Sequence, residues 1–188
     1  MSKPPRMPPI ADADMTPEQK RAVADIVAGP RGSLVGPFIP LLRSPDFMGR
    51  LQRTGEYLRF NSAFETRLSE LAILITARAW SQTFEWHHHR PIAEKAGLRA
   101  SLIDAIAEGR RPTEMAMDEA TIYDFLYELV RSHTVSEPTY RRTVAMFGER
   151  GVIDLIGIHG YYSLLAMILN VTHTPLPDGA KPGIAPLP

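Results

Sequence analysis

The chain contains 188 residues, with 21 Lys and Arg against 21 Asp and Glu, and it has no Cys. This length suits one domain, and the balanced charge gives no general attraction to nucleic acid or to an anionic membrane surface. Without Cys there is no disulfide, no thiolate nucleophile and no CxxC redox pair. The first residues lack the apolar run of a secretory signal, so we expect a cytoplasmic protein.

The 17 prolines are concentrated near the two ends of the sequence. Because proline breaks helix and sheet interiors, this distribution predicts a proline-poor body between two extended, proline-rich arms. We expect three segments: an amino-terminal arm with one helix and a loop at 1–45, a helical domain at 46–174 and a carboxy-terminal arm at 175–188.

Apolar residues at helical spacing predict an all-α fold, and no alternating strand pattern is found. The first helix follows Thr16, an N-cap with Pro17 at the first helical position and Gln19 as its capping-box partner. Residues 32–43, rich in Gly and Pro, are predicted to form a loop. The predicted helices cover 17–28, 45–61, 66–80, 83–96, 100–108, 117–130, 137–147 and 152–171.

The last predicted helix, 152–171, is apolar almost all round and is long enough to span a bilayer. Asp154, His159 and Asn170 interrupt it, which favours a central helix buried within one subunit or between subunits. We therefore expect no membrane partner and an oligomer. The sequence also contains no P-loop, no GxGxxG and no basic-aromatic pattern, so we expect no nucleic-acid partner.

The candidate catalytic residues lie in one stretch of the sequence. Glu70 is on one predicted helix, and Glu85 and His89 are on the next. Glu85 and His89 are four residues apart and share a helix face, as do Glu85 and His88 at a spacing of three. A carboxylate beside an imidazole fixes its tautomer and raises its pKa, as a general acid near neutral pH requires. If the two helices pack antiparallel, Glu70 approaches the same imidazole from the other side.

Two simpler readings of this stretch remain open. A Glu–His pair at helical spacing is often only a surface hydrogen bond. Glu-x-x-His is also half of a di-iron motif, but the second half is missing, so we predict no metal and no cofactor. Pro91, two residues after His89, lies within a predicted helix, and such a conflict is modest evidence for a functional location.

Several segments together resemble the carboxymuconolactone decarboxylase family, which belongs to the alkylhydroperoxidase-like all-helical superfamily. The resemblance covers roughly residues 46–130 and extends to about 175. It is carried by Arg67–Leu74, Phe84–Ala93 and Ala96–Leu98, and then by Phe147–Gly157, Gly160–Tyr162 and Asn170.

The resemblance implies which chemistry is present and which is absent. The peroxidase branch of the superfamily carries a relay Glu, a CxxC pair and a His. Glu70 and His89 fall at the relay positions, whereas Gln82 and Glu85 fall at the two Cys positions. Because both thiols are missing, thiol-dependent peroxide reduction is excluded.

The decarboxylase branch implies a cofactor-independent carbon–carbon lyase of aromatic catabolism, acting on a small cyclic carboxylic acid or lactone. In this reading His89 is the general acid, oriented by Glu85 and tuned by Glu70. No substrate-anchoring cation is identifiable, although Arg78 and Arg90 are near in sequence. The expected pocket residues are Gln82, Trp86, His88, His159, Tyr161 and Tyr162.

The same resemblance implies assembly as trimers or hexamers, with a small-molecule substrate as the other partner. Two further functions remain open from the residues alone. One is a metal-dependent enzyme that uses Glu85 with His88 or His89. The other is a non-catalytic oligomeric binding protein that retains only the helical scaffold.

Overall fold

A computed structural model describes residues 4–177 and 179–185 and shows an all-helical protein. Over this part of the chain no strand occurs, which confirms the all-α prediction. A short 3-10 turn, Asp12–Asp14, precedes the helices. These are α1 (Pro17–Ala28), α2 (Phe38–Leu41), α3 (Pro45–Phe60), α4 (Thr66–Ala79), α5 (Thr83–Lys95), α6 (Ala100–Ala107), α7 (Met117–Ser132) and α8 (Glu137–Thr172).

The start of α1 shows how local sequence sets a helix boundary. The hydroxyl of Thr16 accepts from the backbone N–H of Gln19, and the Gln19 side chain accepts from the backbone N–H of Thr16. Two donors that an open helix end leaves unpaired are thereby satisfied. The predicted capping box is confirmed.

One predicted segment is wrong and one predicted break is confirmed. The single turn α2 lies within the predicted loop, because Phe38, Pro40 and Leu41 are buried against the rest of the protein. Tertiary packing of this kind leaves no periodic signal in so short a segment. The break predicted between the helices at 137–147 and 152–171 is confirmed, because α8 consists of two helices joined by a kink at Gly148 (φ 69°, ψ 174°), where the backbone leaves the helical geometry.

Helix α4 lies at the centre of the protein and packs against α5, α7 and α8. Leu71, Ala72, Leu74 and Ala77 on this helix are fully buried. Complete burial of a leucine side chain stabilises the folded state by about 1.5–3 kcal/mol relative to exposure. A functional residue on α4 is therefore held by the most rigid part of the molecule.

Residues outside the predicted 46–174 domain also contribute to the core. Ile26, Phe38 and Leu42 are buried within it, as is Ile184 near the other end of the chain. The backbone N–H of Arg6 donates to the carbonyl of Thr172, 2.8 Å away, at the end of α8. Residues 1–3, 178 and 186–188 of the two predicted arms lie outside the described residues.

Within the described residues, α8 is the one helix whose length and apolar composition would suffice to cross a membrane. Half of its most apolar window is buried inside the protein. Core helices of soluble proteins pass the same test, so this helix is weak evidence for a membrane span.

We expect the Gly148→Ala variant to be less stable than the wild type by about 1–3 kcal/mol, because the φ and ψ of Gly148 are nearly restricted to glycine. Urea unfolding followed by circular dichroism measures this loss. Gly160→Ala is the matched control on the same helix, since an added Cβ there meets no neighbour within 4 Å. That variant should be as stable as the wild type or more stable. Equal stability of both variants would contradict the assignment of strain to Gly148.

Candidate active site

A pocket with a cavity of about 200 Å³ opens between the segment before α2 and helices α3, α5 and α8. Its apolar wall contains Val35, Phe38, Phe60, Phe84 and Leu165. Its polar side chains are Arg31, Arg59, Glu85, His88, His89 and Tyr162. The pocket therefore combines an aromatic wall with two cations and four titratable groups that could transfer a proton, namely Glu85, His88, His89 and Tyr162.

His89, which lines the pocket, forms a buried pair with Glu70 behind it. Nδ1 of His89 lies 2.7 Å from Oε2 of Glu70, and both side chains are almost completely buried. The packing of α5 against α4 brings the two residues together, so Glu70 approaches His89 from the neighbouring helix. With Nδ1 bonded to Glu70, Nε2 of His89 is the nitrogen left for a ligand.

Two further side chains fix this pair. Nη2 of Arg59, at the end of α3, lies 4.0 Å from the second oxygen of Glu70. The ring of Tyr162 meets His89 edge to face, with 5.1 Å between the ring centroids. Helices α3, α4, α5 and α8 therefore all position one imidazole.

Glu85 has a different environment from the one we expected. It is only 3% exposed, and neither carboxyl oxygen has a hydrogen-bond partner among the described residues. The expected bond from Glu85 to His89 is not formed, and the carboxylate bonded to His89 is that of Glu70. Burial raises the pKa of Glu85 well above its usual value, so the carboxyl group retains its proton where an exposed Glu has lost it.

His88 lies at the rim of the pocket, with much of its surface exposed. Removal of water from its ring, together with the nearby charges of His89 and Arg59, lowers the pKa of His88 to about 4. His88 is therefore neutral near pH 7 and adds no charge to the pocket.

The sequence analysis missed both cations of the pocket. Nη2 of Arg31 donates to Oη of Tyr161 at 3.1 Å, and its guanidinium lies over the ring of Phe38. Arg59 lies over the ring of Phe60. Arg31 is in the segment predicted as an arm, and neither residue belongs to a motif, so no sequence signal marked them.

The two cations that the sequence suggested lie elsewhere. Arg78 donates to the carbonyl of Ala185, and Arg90 pairs with Glu94 and Asp104. Neither arginine lines the pocket.

Gly55 on α3 allows Arg31 and Tyr161 to approach. A Cβ atom at this position would lie 2.1 Å from Oη of Tyr161 and 2.6 Å from Nη2 of Arg31. Contacts this short do not occur, so the position of Arg31 depends on the missing side chain at residue 55.

Of the six predicted pocket residues, only His88 and Tyr162 line the pocket. Gln82 caps α5, accepting from the backbone N–H of Phe84 at 2.6 Å, and also donates to Asn170. Trp86 is fully buried on another face of α5. His159 forms a hydrogen bond with Thr76, and Tyr161 accepts a hydrogen bond from Arg31. Adjacent helical residues point about 100° apart, which is why the Glu85–His89 run does not converge on one site.

The described residues contain no group of three or more His, Asp or Glu side chains arranged to hold a metal ion. The predicted half of a di-iron motif, Glu85 with His88, therefore has no third protein ligand in this part of the chain.

The fold is similar to that of solved structures at low sequence identity. A peroxidase-related protein from Ralstonia eutropha JMP134, described as an alkylhydroperoxidase AhpD core, matches with a TM-score of 0.74, 16% identity and 94% coverage of each chain. A cysteine-to-alanine variant of the debrominase Bmp8, in complex with 2,3,4-tribromopyrrole, matches with a TM-score of 0.72, 13% identity and 95% coverage of each chain. No family model and no curated protein matches the sequence. These likenesses establish the AhpD-like fold.

We expect Glu85→Gln to stabilise the protein increasingly as pH rises. Because the folded state raises the pKa of Glu85 above its usual value of 4.5, the folded state binds more protons than the unfolded state above that pH. Between the pKa of Glu85 in the unfolded state and its higher pKa in the folded state, the free energy of unfolding of the wild type therefore falls as pH rises. The fall is about 1.4 kcal/mol for each pH unit. Glu85→Gln removes the ionisable carboxyl group, so the stability of this variant does not show that fall.

Chemical denaturation of both proteins across a pH series measures the difference. Glu149→Gln is the control, because Glu149 is exposed on α8. A stability difference between Glu85→Gln and wild type that does not change with pH would contradict a proton-holding Glu85.

Proposed function

We propose that this protein is an enzyme that removes CO2 from a small cyclic carboxylic acid or lactone without a cofactor. The observation that carries the proposal is the presence of two different proton-transfer groups in one pocket. Glu85 holds its proton and has no hydrogen-bond partner among the described residues, whereas His89 is oriented by Glu70. Such a division between two titratable groups is typical of acid–base catalysis.

The lining of the pocket supports a small planar anion as the substrate. Arg31 and Arg59 supply two guanidinium groups, which recognise a carboxylate through paired hydrogen bonds. Phe38, Phe60 and Phe84 supply flat apolar surfaces for a ring. A cavity of about 200 Å³ restricts the substrate to a small molecule.

In the proposed reaction the bond between the carboxylate carbon and the ring breaks, and CO2 leaves. The electron pair passes through the adjacent C=C bond into the lactone carbonyl, which becomes a dienolate. Positive charge on Arg31 or Arg59 stabilises the developing oxyanion, since it acts in a site from which water is largely removed. The arginines thus bind the substrate and lower the barrier to the loss of CO2.

The reaction then requires a proton on carbon. Glu85 delivers its proton to the dienolate, the carbonyl re-forms, and Glu85 is left as a carboxylate. His89 passes a proton to Glu85 and regains one from solvent while Glu70 compensates the charge on the imidazolium. Each turnover releases one CO2 and consumes one proton, so the enzyme returns to its starting state.

The fold comparisons support this proposal only in outline. Bmp8 is a debrominase whose structure holds a small ring compound, and the other neighbour is peroxidase-related. Our chain has no Cys, so a thiol cannot take part in its reaction. Acid–base chemistry by Glu85 and His89 is the alternative that its own residues supply.

Release of CO2 from a panel of cyclic carboxylic acids and lactones tests the proposal. With a substrate that is turned over, Glu85→Gln and His89→Ala should each lower kcat by about 10²–10⁴-fold, the usual contribution of a general acid or base. Glu70→Gln should act in the same direction, since it removes the negative charge that compensates the imidazolium of His89. His87→Ala is the matched control, because His87 is the neighbouring imidazole and does not line the pocket.

Unchanged turnover in Glu85→Gln and His89→Ala would contradict the proposed mechanism. Arg59→Met should raise KM, whereas Arg53→Met, an exposed arginine on the same helix, should not. If no member of the panel is turned over but several bind, the protein is a binding protein of the same fold.

We also propose that the chain self-associates, as a trimer or hexamer, through an exposed apolar stripe on α8. Ile153, Ile156, Met167 and Val171 are each at least 40% exposed, and their spacing places them on one face of the helix. An apolar stripe of this length in contact with water is unfavourable, so burial against another copy stabilises it.

Sedimentation equilibrium should therefore give a mass several times the chain mass of 20.9 kDa. Replacing both Ile153 and Ile156 by Glu should dissociate the assembly, because the two charges would be buried without partners. Val27→Glu, at an exposed apolar residue on α1, is the control. A wild-type protein that sediments as a single chain would contradict the proposal.

A further inference from the structure

A second cavity, of about 240 Å³, opens on the face formed by α4, α6 and α7. It shares no lining residue with the first pocket. Ile75, Ile106 and Leu126 form part of its apolar surface. Tyr123 and Tyr127 line it as a stacked pair, with centroids 6.0 Å apart and ring planes 14° from parallel. The surface is suited to a flat apolar group.

Arg78 on α4 brings a positive charge to this apolar cavity. The residue is only 7% exposed, and its Nε atom is buried without a hydrogen-bond partner. One Nη atom donates to the carbonyl of Ala185, which is neutral. Among the described residues no carboxylate lies within 4.0 Å of the guanidinium. A buried cation without a counter-charge is unfavourable, and an anion beside it would offset that cost.

A second cation at the cavity also lacks a carboxylate partner among the described residues. The guanidinium of Arg131 lies over the ring of Tyr127, 5.3 Å from its centroid. The neighbouring arginines differ, because Arg110 pairs with Glu108 and Arg111 pairs with Asp124. The charge available to a ligand is therefore that of Arg78 and Arg131.

We propose that this second cavity is a binding site for a small aromatic carboxylate. The carboxylate would pair with Arg78 and Arg131, since guanidinium groups match carboxylates in geometry and charge. The ring would lie on the apolar surface between Leu126 and the stacked tyrosines, where aromatic contacts add to burial. This site is distinct from the proposed active site and does not depend on the reaction proposed there.

Isothermal titration of the full chain with benzoate tests the site. Arg131→Gln, an exposed substitution that does not threaten folding, should weaken binding by roughly tenfold, which corresponds to about 1.4 kcal/mol. Arg78→Met should weaken it further. Arg110→Gln is the matched control at the same cavity, because this arginine is already paired with Glu108; it should leave the affinity within about twofold of the wild type. Benzamide, which has the same ring without the charge, should bind at least tenfold more weakly than benzoate.

The arginine variants that lose benzoate binding show which of the two cavities holds the ligand. Loss of benzoate binding in Arg131→Gln and Arg78→Met, with retention in Arg59→Met, supports the second site whatever the activity of the first. Loss only in Arg59→Met places the ligand in the first pocket and overturns the proposal. Equal binding of benzamide and benzoate, or no binding of either, also overturns it.

Discussion

The hydrogen bond between Glu70 and His89 is the interaction on which the rest of the site depends. It joins the central helix α4 to α5 inside an apolar core, where an unpaired charge is costly and a paired one is fixed in place. Arg59 and Tyr162 are arranged around this pair. Because Glu70 lies on the buried helix α4 and His89 on the helix packed against it, no loop residue is needed to form the pair, and the imidazole is oriented before any ligand arrives.

The same apolar core surrounds Glu85, but it leaves this carboxyl group unpaired among the described residues. Glu70 has an imidazole at hydrogen-bond distance and a guanidinium at 4.0 Å, whereas Glu85 has no partner among the described residues. The two carboxyl groups are equally buried, and they differ in whether a described residue pairs with them. At one position where the resemblance to the peroxidase branch would place a Cys, this chain has Glu85, whose pKa is raised by burial.

Much of the fold could be predicted from the sequence, because its signals are local. Capping at Thr16 and apolar residues at helical spacing depend on a few neighbouring residues, and they located the helices apart from α2, including the break at Gly148. The approach of Glu70 to His89 was also predictable, since a short connection between helices favours antiparallel packing.

The composition of the pocket depends instead on contacts between distant residues. Arg31 reaches the site because Gly55, on another helix, leaves room for it. No spacing or motif reports such an approach. Trp86 was wrongly expected to line the pocket because adjacency in sequence was taken as adjacency in space, and one step along a helix turns a side chain to another face.

The packing around Trp86 also bears on the order in which the protein is made. Its ring lies under Gly183, where an added Cβ would be 2.5 Å from Cδ1 of the indole, and Ile184 completes the same core. Synthesis proceeds from the amino terminus, so α5 leaves the ribosome long before residues 183 and 184 do. Until then one side of Trp86 has no cover. The aromatic surface of Trp86 therefore stays uncovered on that side while the second half of the chain is made, and the core over α5 closes only when residues 183 and 184 are available.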